Sequence, residues 1–548
     1  MSVQSLIDEL EKRFSAERLA TGEAALRRYG PCTTGYTVGI AGAIRLRTSE
    51  EVAEVLRMAS LAGVPVYPVS TGRNWGYGSA NPPAPGCLIL DLSEMNRILG
   101  FDAELGVVTV EPGVTQGMLR DFLRAGGHTF LVPVTGAGPT CSLLGNALER
   151  GYGVTPWADH FSAVTSLEAV LPDGRIYRSA LAQMGGGRID RLFKWGIGAY
   201  VDGLFTQSGF GVVTAMSIAL ARQPESVCAG FVSLKDGERF GALVAQVREI
   251  IASHPGVVGG INLMNQHRVL SMAAPYPRDA IGPDGLITPE RIADMGRRHQ
   301  APAWTGFITL YGTKRVVAAA RRDIRRAIRP VAGPVLFFST RGASRLAGIA
   351  RRFAGVLPAG IVSKTAMLEK SLELVNGAPN ETAMPLAYWR SGKTLPQGMP
   401  ADPARDGCGL LWYAPLVPMT AADATRYVAM VREVTTKHGM EPLITLTSLS
   451  DRVFDSTVPL VFELDNAAQR AAAHACYEEL LERGQALGYL PYRVGVRSMP
   501  WLMRQAPDYW EFIGRIKAAL DPAGLMSPGR YSRTEKNDTA AKPDSNEA

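Results

Sequence analysis

Apolar and polar positions alternate along the chain in blocks that change period. Residues 1–30 carry apolar positions at helical spacing among charged ones, in MSVQSLIDELEKRF and onward, and predict a helix. From Ile44 the pattern becomes strand, helix, strand. Thr48 precedes Ser49-Glu50-Glu51, where a hydroxyl satisfies free amides, and Gly63 follows the last apolar position, so a helix is predicted between them. Val64–Val69 reads as a short buried strand entering a glycine-rich loop, Ser70 to Gly78. Cys87–Leu92 and Gly106–Val110 follow as strands, then a helix over 116–125. A second long loop, Pro133 to Ser142, runs into a helix over Leu143–Arg150. Asp173-Gly174 predicts a tight hairpin turn between Ser166–Leu171 and Arg175–Ser179, and Gly209–Val213 begins another strand.

Near 225–260 the composition changes. Long amphipathic helices alternate with strands to about 490, which predicts a second, substrate-facing domain. A polar tail over 532–548 is expected to be disordered. At 548 residues the chain is long enough for two domains. Its composition, 46% hydrophobic and 20% charged, is that of a globular protein. No apolar run approaches a membrane span, and Val212–Ala221 is interrupted by Thr214 and Ser217. With no apolar leader in the N-terminal segment, the expected compartment is the cytoplasm.

The six cysteines, at 32, 87, 141, 228, 408 and 476, form no CxxC pair, and the seven histidines form no HExxH. A disulfide framework, a zinc site and a haem attachment are therefore not expected. Net charge is +7 and is dispersed, which argues against nucleic acid as a partner. One basic cluster, Arg321, Arg322, Arg325, Arg326 and Arg329, reads either as a solvated helix face or as a docking patch for an acidic partner.

The two glycine loops let backbone amides approach an anion, yet neither is GxGxxG or GxxxxGK[ST]. Their context is more specific. Ser70-Thr71-Gly72-Arg73-Asn74, Gly76-Tyr77-Gly78, Leu90-Asp91-Leu92-Ser93, Val110-Glu111-Pro112-Gly113-Val114, Leu144-Gly145-Asn146-Ala147-Leu148-Glu149-Arg150-Gly151 and Pro528-Gly529-Arg530 occur in that order. This set resembles the vanillyl-alcohol oxidase and p-cresol methylhydroxylase family of FAD-linked oxidoreductases, over about residues 40–531.

The resemblance implies an α+β fold: a two-subdomain FAD-binding domain of the p-cresol methylhydroxylase (PCMH) type with an α+β cap. The expected division is an N-terminal helical segment (1–35), an FAD-binding domain (36–225), a cap or substrate domain (226–489) and a C-terminal return to the FAD domain (490–531). It places Ser70, Thr71, Gly72, Arg73, Asn74, Pro112, Gly136, Gly138, Thr140, Ser142, Gly145, Asn146, Arg150, Gly211, Val212, Val213 and Arg530 at the cofactor. It gives Tyr77, Tyr492 and Arg493 a phenolate to hold, and Asp159 a place near flavin N5. Two hydroxyl donors and a guanidinium favour a phenolate, which pushes electron density towards the para carbon and eases benzylic hydride loss through a p-quinone methide. His160 reads equally as a loop hydrogen-bonding residue.

Many relatives tether the flavin through a His or Tyr on a cap strand. Here that position falls on Leu410, which cannot form the bond, and alternation puts Tyr413 on the other strand face. Cys141 is the remaining tether on the loop, read otherwise as a small buried thiol, so non-covalent FAD is the expectation. Expected partners are a small phenolic substrate, O2 or a cytochrome c as electron acceptor, and a second copy in a homodimer. Two alternatives stay open: a tailoring enzyme of secondary metabolism performing oxidative cyclisation, and a non-catalytic flavin-binding homologue.

Overall fold

The computed structural model describes residues 2–353 and 359–533. Most of the expected tail, from 534 on, lies outside the described residues. The predicted single N-terminal helix is two, Val3–Phe14 and Gly22–Tyr29. Ser15, in the left-handed region at φ 67°, ends the first, and Leu19–Ala20 is drawn out as a strand against Ala43 and Ile44.

A four-stranded sheet follows, in the order Leu19–Ala20, Gly42–Arg45, Leu88–Asp91, Val66–Val69, with its last three strands parallel. The helix Ser49–Ala62 crosses it. Thr48 Oγ1 accepts from the Glu51 amide at 3.2 Å, and Gly63 takes the left-handed φ of 64° that closes the helix. The second sheet is antiparallel, in the order Ile98–Asp102, Val107–Val110, Val212–Ala219, Val164–Val170, Ile176–Tyr177. Its hairpin turns at Gly174, whose φ of 80° suits the Asp-Gly turn.

Residues 226–463 build an eight-stranded sheet. The helices Phe240–Ser253, Lys314–Ile328, Ala421–Lys437 and Ala467–Ala486 supply the large apolar core with which its strands pack. Arg321 and Arg325 lie over the Phe337 ring at 5.3 and 5.0 Å, so part of the basic cluster is spent on packing. On the strand Cys408–Tyr413, Leu410 and Trp412 line a cavity while Leu411 and Tyr413 enter the helix-side core.

The C-terminal segment returns to the first sheet. Val66 donates to the Leu525 carbonyl and Ser527 donates to the Val66 carbonyl, both at 2.8 Å. Lys517, 7% exposed, pairs with Asp521 at 2.7 Å and donates to the carbonyls of Gly209 and Met526. No helix among the described residues is long and apolar enough to cross a membrane.

Candidate active site and cofactor cleft

A cavity of about 410 Å³ runs between the two N-terminal sheets and the eight-stranded sheet. Of the residues expected at a cofactor, Ser70, Thr71, Gly72, Arg73, Asn74, Pro112, Gly136, Ser142, Gly145, Asn146, Gly211, Val212, Val213 and Arg530 line it. Gly138, Thr140 and Arg150 do not. Arg150 turns away to bond the Thr206 hydroxyl at 2.9 and 3.1 Å, and its neighbour Glu149 faces the cavity instead.

The amides of residues 71–74 donate to no acceptor among the described residues. Consecutive unspent amides at a cavity wall suit a phosphate. The loop is fixed from outside: Arg73 pairs with Asp402, and Trp75 Nε1 donates to Asp402 at 3.0 Å. At Gly76 (φ 78°) a Cβ would stand 2.2 Å from Trp412 Cδ1, so only glycine lets this loop lie against the cap strand. Ser142 Oγ donates to the Pro112 carbonyl at 2.6 Å and accepts from the Gly145 amide at 2.9 Å.

At the other end stand Tyr77, Tyr492 and Arg493. Tyr77 is held by the Val496 amide, which donates to its carbonyl at 2.9 Å, and Tyr492 by its own amide, which donates to Ala414 at 3.2 Å. Arg493 lies over the Tyr77 ring at 4.1 Å, contacts Asn74 Oδ1 and pairs with Glu149 at 3.1 Å. Neither tyrosine hydroxyl has a partner among the described residues, and both side chains line the cavity. Burial raises both phenol pKa values, more than Arg493 lowers them, so both stay protonated donors. Tyr152 meets Tyr492 edge-on at 5.4 Å.

Two acids, the half-buried Glu149 and the buried Asp455, flank this cradle in opposite states. Burial raises the Glu149 pKa, but Arg530 and Arg493 outweigh it and keep the carboxylate charged. Asp455 is 3% exposed, its Oδ1 is unpartnered, and burial raises its pKa well above the carboxylate range, so it is neutral. Sequence reasoning missed both as site residues. Glu149 sits inside a quoted motif, whereas nothing in the linear pattern marks Asp455.

Asp159 stands outside the cavity. It is exposed, and its Oδ1 accepts from the Ser162 amide at 3.1 Å, capping a local turn. The neighbouring His160 is 4% exposed and meets Asn146 at 2.5 Å, orienting a cavity-lining side chain. Burial holds its pKa down at about 4. Cys141 lines the cavity as a buried thiol with its pKa raised by burial. Tyr413, fully buried, does not line it.

Comparison with known proteins agrees with this architecture. Residues 40–180 match the FAD binding domain model, and residues 416–531 match that of the FAD linked oxidases, C-terminal domain. Over 518 residues the chain is 35% identical to a 1'-carboxy-chondrochloren decarboxylase of Chondromyces crocatus, covering 94% of both proteins. It is 27% identical over 502 residues to the 4-cresol dehydrogenase [hydroxylating] flavoprotein subunit of Pseudomonas putida, covering 90% of this chain and 88% of that one. The chain belongs to the p-cresol methylhydroxylase and vanillyl-alcohol oxidase family.

This FAD-linked oxidoreductase also shares the fold of a crystal structure of p-cresol methylhydroxylase with substrate bound. The TM-score is 0.86 at 23% identity, with 98% of each chain covered. A 4-ethylphenol oxidase from Gulosibacter chungangensis aligns equally well, at a TM-score of 0.86. The expected α+β, PCMH-type fold and the FAD cofactor therefore hold for this family member. Its cleft fits the cofactor: unspent amides at 71–74, small residues at Gly136, Gly145 and Gly211, and Arg530 paired with Glu149.

Proposed function

We propose that this enzyme oxidises a para-substituted phenol at its benzylic carbon, through a p-quinone methide. One observation carries the reading. The buried Tyr77, the half-buried Tyr492, both protonated, and the buried Arg493 guanidinium line one cavity, and neither tyrosine hydroxyl has a partner among the described residues. Such a set donates hydrogen bonds and positive charge to one oxygen anion. Bound FAD supplies the two-electron acceptor for the hydride. Tyr77, Tyr492 and Arg493 hold the phenolate oxygen, Glu149 fixes Arg493, and Trp412 and Leu410 close the cavity against water. Arg493 stays charged because Glu149 and the neighbouring tyrosines outweigh the cost of burial. The relatives named for 4-cresol and 4-ethylphenol support a phenolic substrate for this chain.

We also read the FAD as untethered. On the cap strand Leu410 and Trp412 face the cavity, and Tyr413 points into the core. Turnover of 4-alkylphenols, with flavin content measured alongside, tests the whole reading. Tyr492→Phe and Arg493→Ala are expected to lose turnover by at least about 100-fold while retaining FAD. Full activity in both variants would remove the phenol cradle from the site.

A further inference from the structure

On the cap side of the same cavity stands an arginine that the phenol chemistry leaves unused. Arg268 belongs to the helix Gln266–Ala273, which begins where the strand Val258–Asn265 ends. It is 9% exposed and lines the cavity. No hydrogen bond or ion pair reaches its guanidinium among the described residues, and Nε and Nη1 are buried without a partner. Burial lowers its pKa to about 10, and no carboxylate among the described residues offsets it. Glu441, the buried carboxyl from the neighbouring 439–444 loop, is engaged elsewhere. It accepts from the Ile287 amide at 2.8 Å and lies 3.7 Å from His267 Nε2. Arg73, Arg493 and Arg530, which line the cavity too, each have a carboxylate. An uncompensated buried guanidinium costs several kcal/mol, so its partner belongs to what enters the cavity.

Sheet register locates it relative to the cradle. Asp455, which acts electrostatically on Tyr77, Tyr492 and Arg493, pairs with Thr447, and Thr447 pairs with Asn262. Arg268 lies three residues beyond Asn265, in the first turn of the helix that follows the strand. From Asn262 to Asn265 alone is about 10 Å at ~3.3 Å per residue. The cradle and Arg268 come from separate segments of the chain and both line the cavity, so one substrate can meet both.

We propose that Arg268 receives the carboxylate of a 4-hydroxyphenyl carboxylic acid, and that the substrate class is the 3-(4-hydroxyphenyl)propanoate skeleton. This rests on the phenol-oxidation reading above. The substrate is held in the cradle as the phenolate, its proton having passed to solvent, and the benzylic C–H bond breaks with its electron pair passing as hydride to bound FAD. The quinone methide then carries a carboxylate on the adjacent carbon. Cleavage of the carbon–carboxylate bond sends its electron pair into a new C=C bond, returns the ring to phenolate and releases CO2. The products are a 4-hydroxystyrene, CO2 and reduced flavin; this half-reaction needs no oxidant beyond bound FAD, and an electron acceptor such as O2 then reoxidises the flavin to complete the turnover. The decarboxylase named among the relatives acts on a carboxy compound, in keeping with this end of the reaction. Arg268 is a binding and positioning residue, since an ion pair holds the carboxylate charge that departure as CO2 disperses.

The test compares three ligands on the purified holoenzyme: 3-(4-hydroxyphenyl)propanoate, its neutral amide and 4-propylphenol. Binding is read from the flavin absorption change under anaerobic conditions, and products by chromatography with CO2 detection. The propanoate is expected to bind about 30- to 100-fold tighter than the amide, the size of one charge-assisted pair. It is expected to give 4-vinylphenol and stoichiometric CO2. Arg268→Gln is expected to erase the preference by raising KM for the propanoate with kcat within about threefold, with a far smaller effect on 4-propylphenol, and Arg268→Lys to restore part of it. Equal wild-type binding of propanoate and amide would overturn the proposal while 4-propylphenol turnover kept the phenol reading intact. Failure of all three ligands to bind or react would overturn the phenol reading itself. The wild-type comparison holds whether or not the variants fold.

Discussion

Glu149 is a test of how the cleft is held together. Its carboxylate lies between Arg493 at 3.1 Å and Arg530, and both guanidiniums are almost wholly buried. Glu149→Gln keeps the shape and one acceptor oxygen but leaves two buried cations without their counter-charge. Removing one partner of a buried pair costs about 3–5 kcal/mol. The retained acceptor, together with Tyr67, which accepts from Arg530, and Asn74, which accepts from Arg493, puts the expected loss near 3 kcal/mol. For cooperative unfolding of all 548 residues, at about 2.1 cal/mol/K per residue, that is roughly a 3 °C drop in Tm. The sign of the pH dependence follows from its depressed pKa. The stabilisation is present above the unfolded-state value of 4.5 and is lost as pH falls through the lower folded value. The gap between wild type and Glu149→Gln therefore narrows in acid.

Asp455→Asn supplies the opposite sign. The folded protein keeps this carboxyl protonated, so above the ordinary value of 3.8 ionisation favours the unfolded chain by about 1.4 kcal/mol per pH unit, until the raised folded pKa is passed. An asparagine removes that drain, and Asp455→Asn is expected to melt above wild type at pH 7.5. The assay is differential scanning calorimetry of wild type and both variants at pH 7.5 and at pH 4.5, with flavin content matched. If Glu149→Gln melts with wild type at pH 7.5, or if both variants melt lower there, the assignment of charge around the cradle is wrong.

Burial raises the Glu441 pKa to about 7, from 4.5. Stability is therefore expected to fall by roughly 3 kcal/mol as pH rises from about 4.5 to 7, and Glu441→Gln to flatten that slope in denaturant titrations. Gly76→Ala forces a Cβ into Trp412 at a φ of 78°, and flavin affinity measured by fluorescence is expected to weaken at least tenfold, whereas Gly22→Ala, open to solvent, leaves it unchanged. After acid precipitation the yellow colour is expected in the supernatant, and a yellow pellet would point to a bond at Cys141.

The parts of this fold that the chain states locally were legible in it. Thr48 and Gly63 bracket a helix because a hydroxyl cap and a left-handed glycine act within one turn. The glycine loops, the Asp-Gly hairpin and the alternation that turns Leu410 inward and Tyr413 outward are equally local. The break at Ser15 was missed because tertiary pairing of Leu19 with Ile44 overrides helical spacing. Choosing between Glu149 and Arg150 depends on which neighbour faces the cleft as the helix ends, and Arg150 sits there at φ 53°. Arg268 and Asp455 are invisible in the sequence because their significance is the lack of a partner, which exists only once every other element is in place.

The return of the C-terminal segment to the first sheet has a consequence for how the enzyme is made. Glu149 and its partner Arg530 are 381 residues apart, and Arg493 meets Asn74 across 419. At ~5–20 residues per second of synthesis, the glycine loop waits on the order of 20 seconds or more for the arginine that completes it. Flavin capture is therefore a late event in the life of each molecule. Until then the half-built cleft exposes unspent amides and apolar walls, for an interval set by the rate of synthesis.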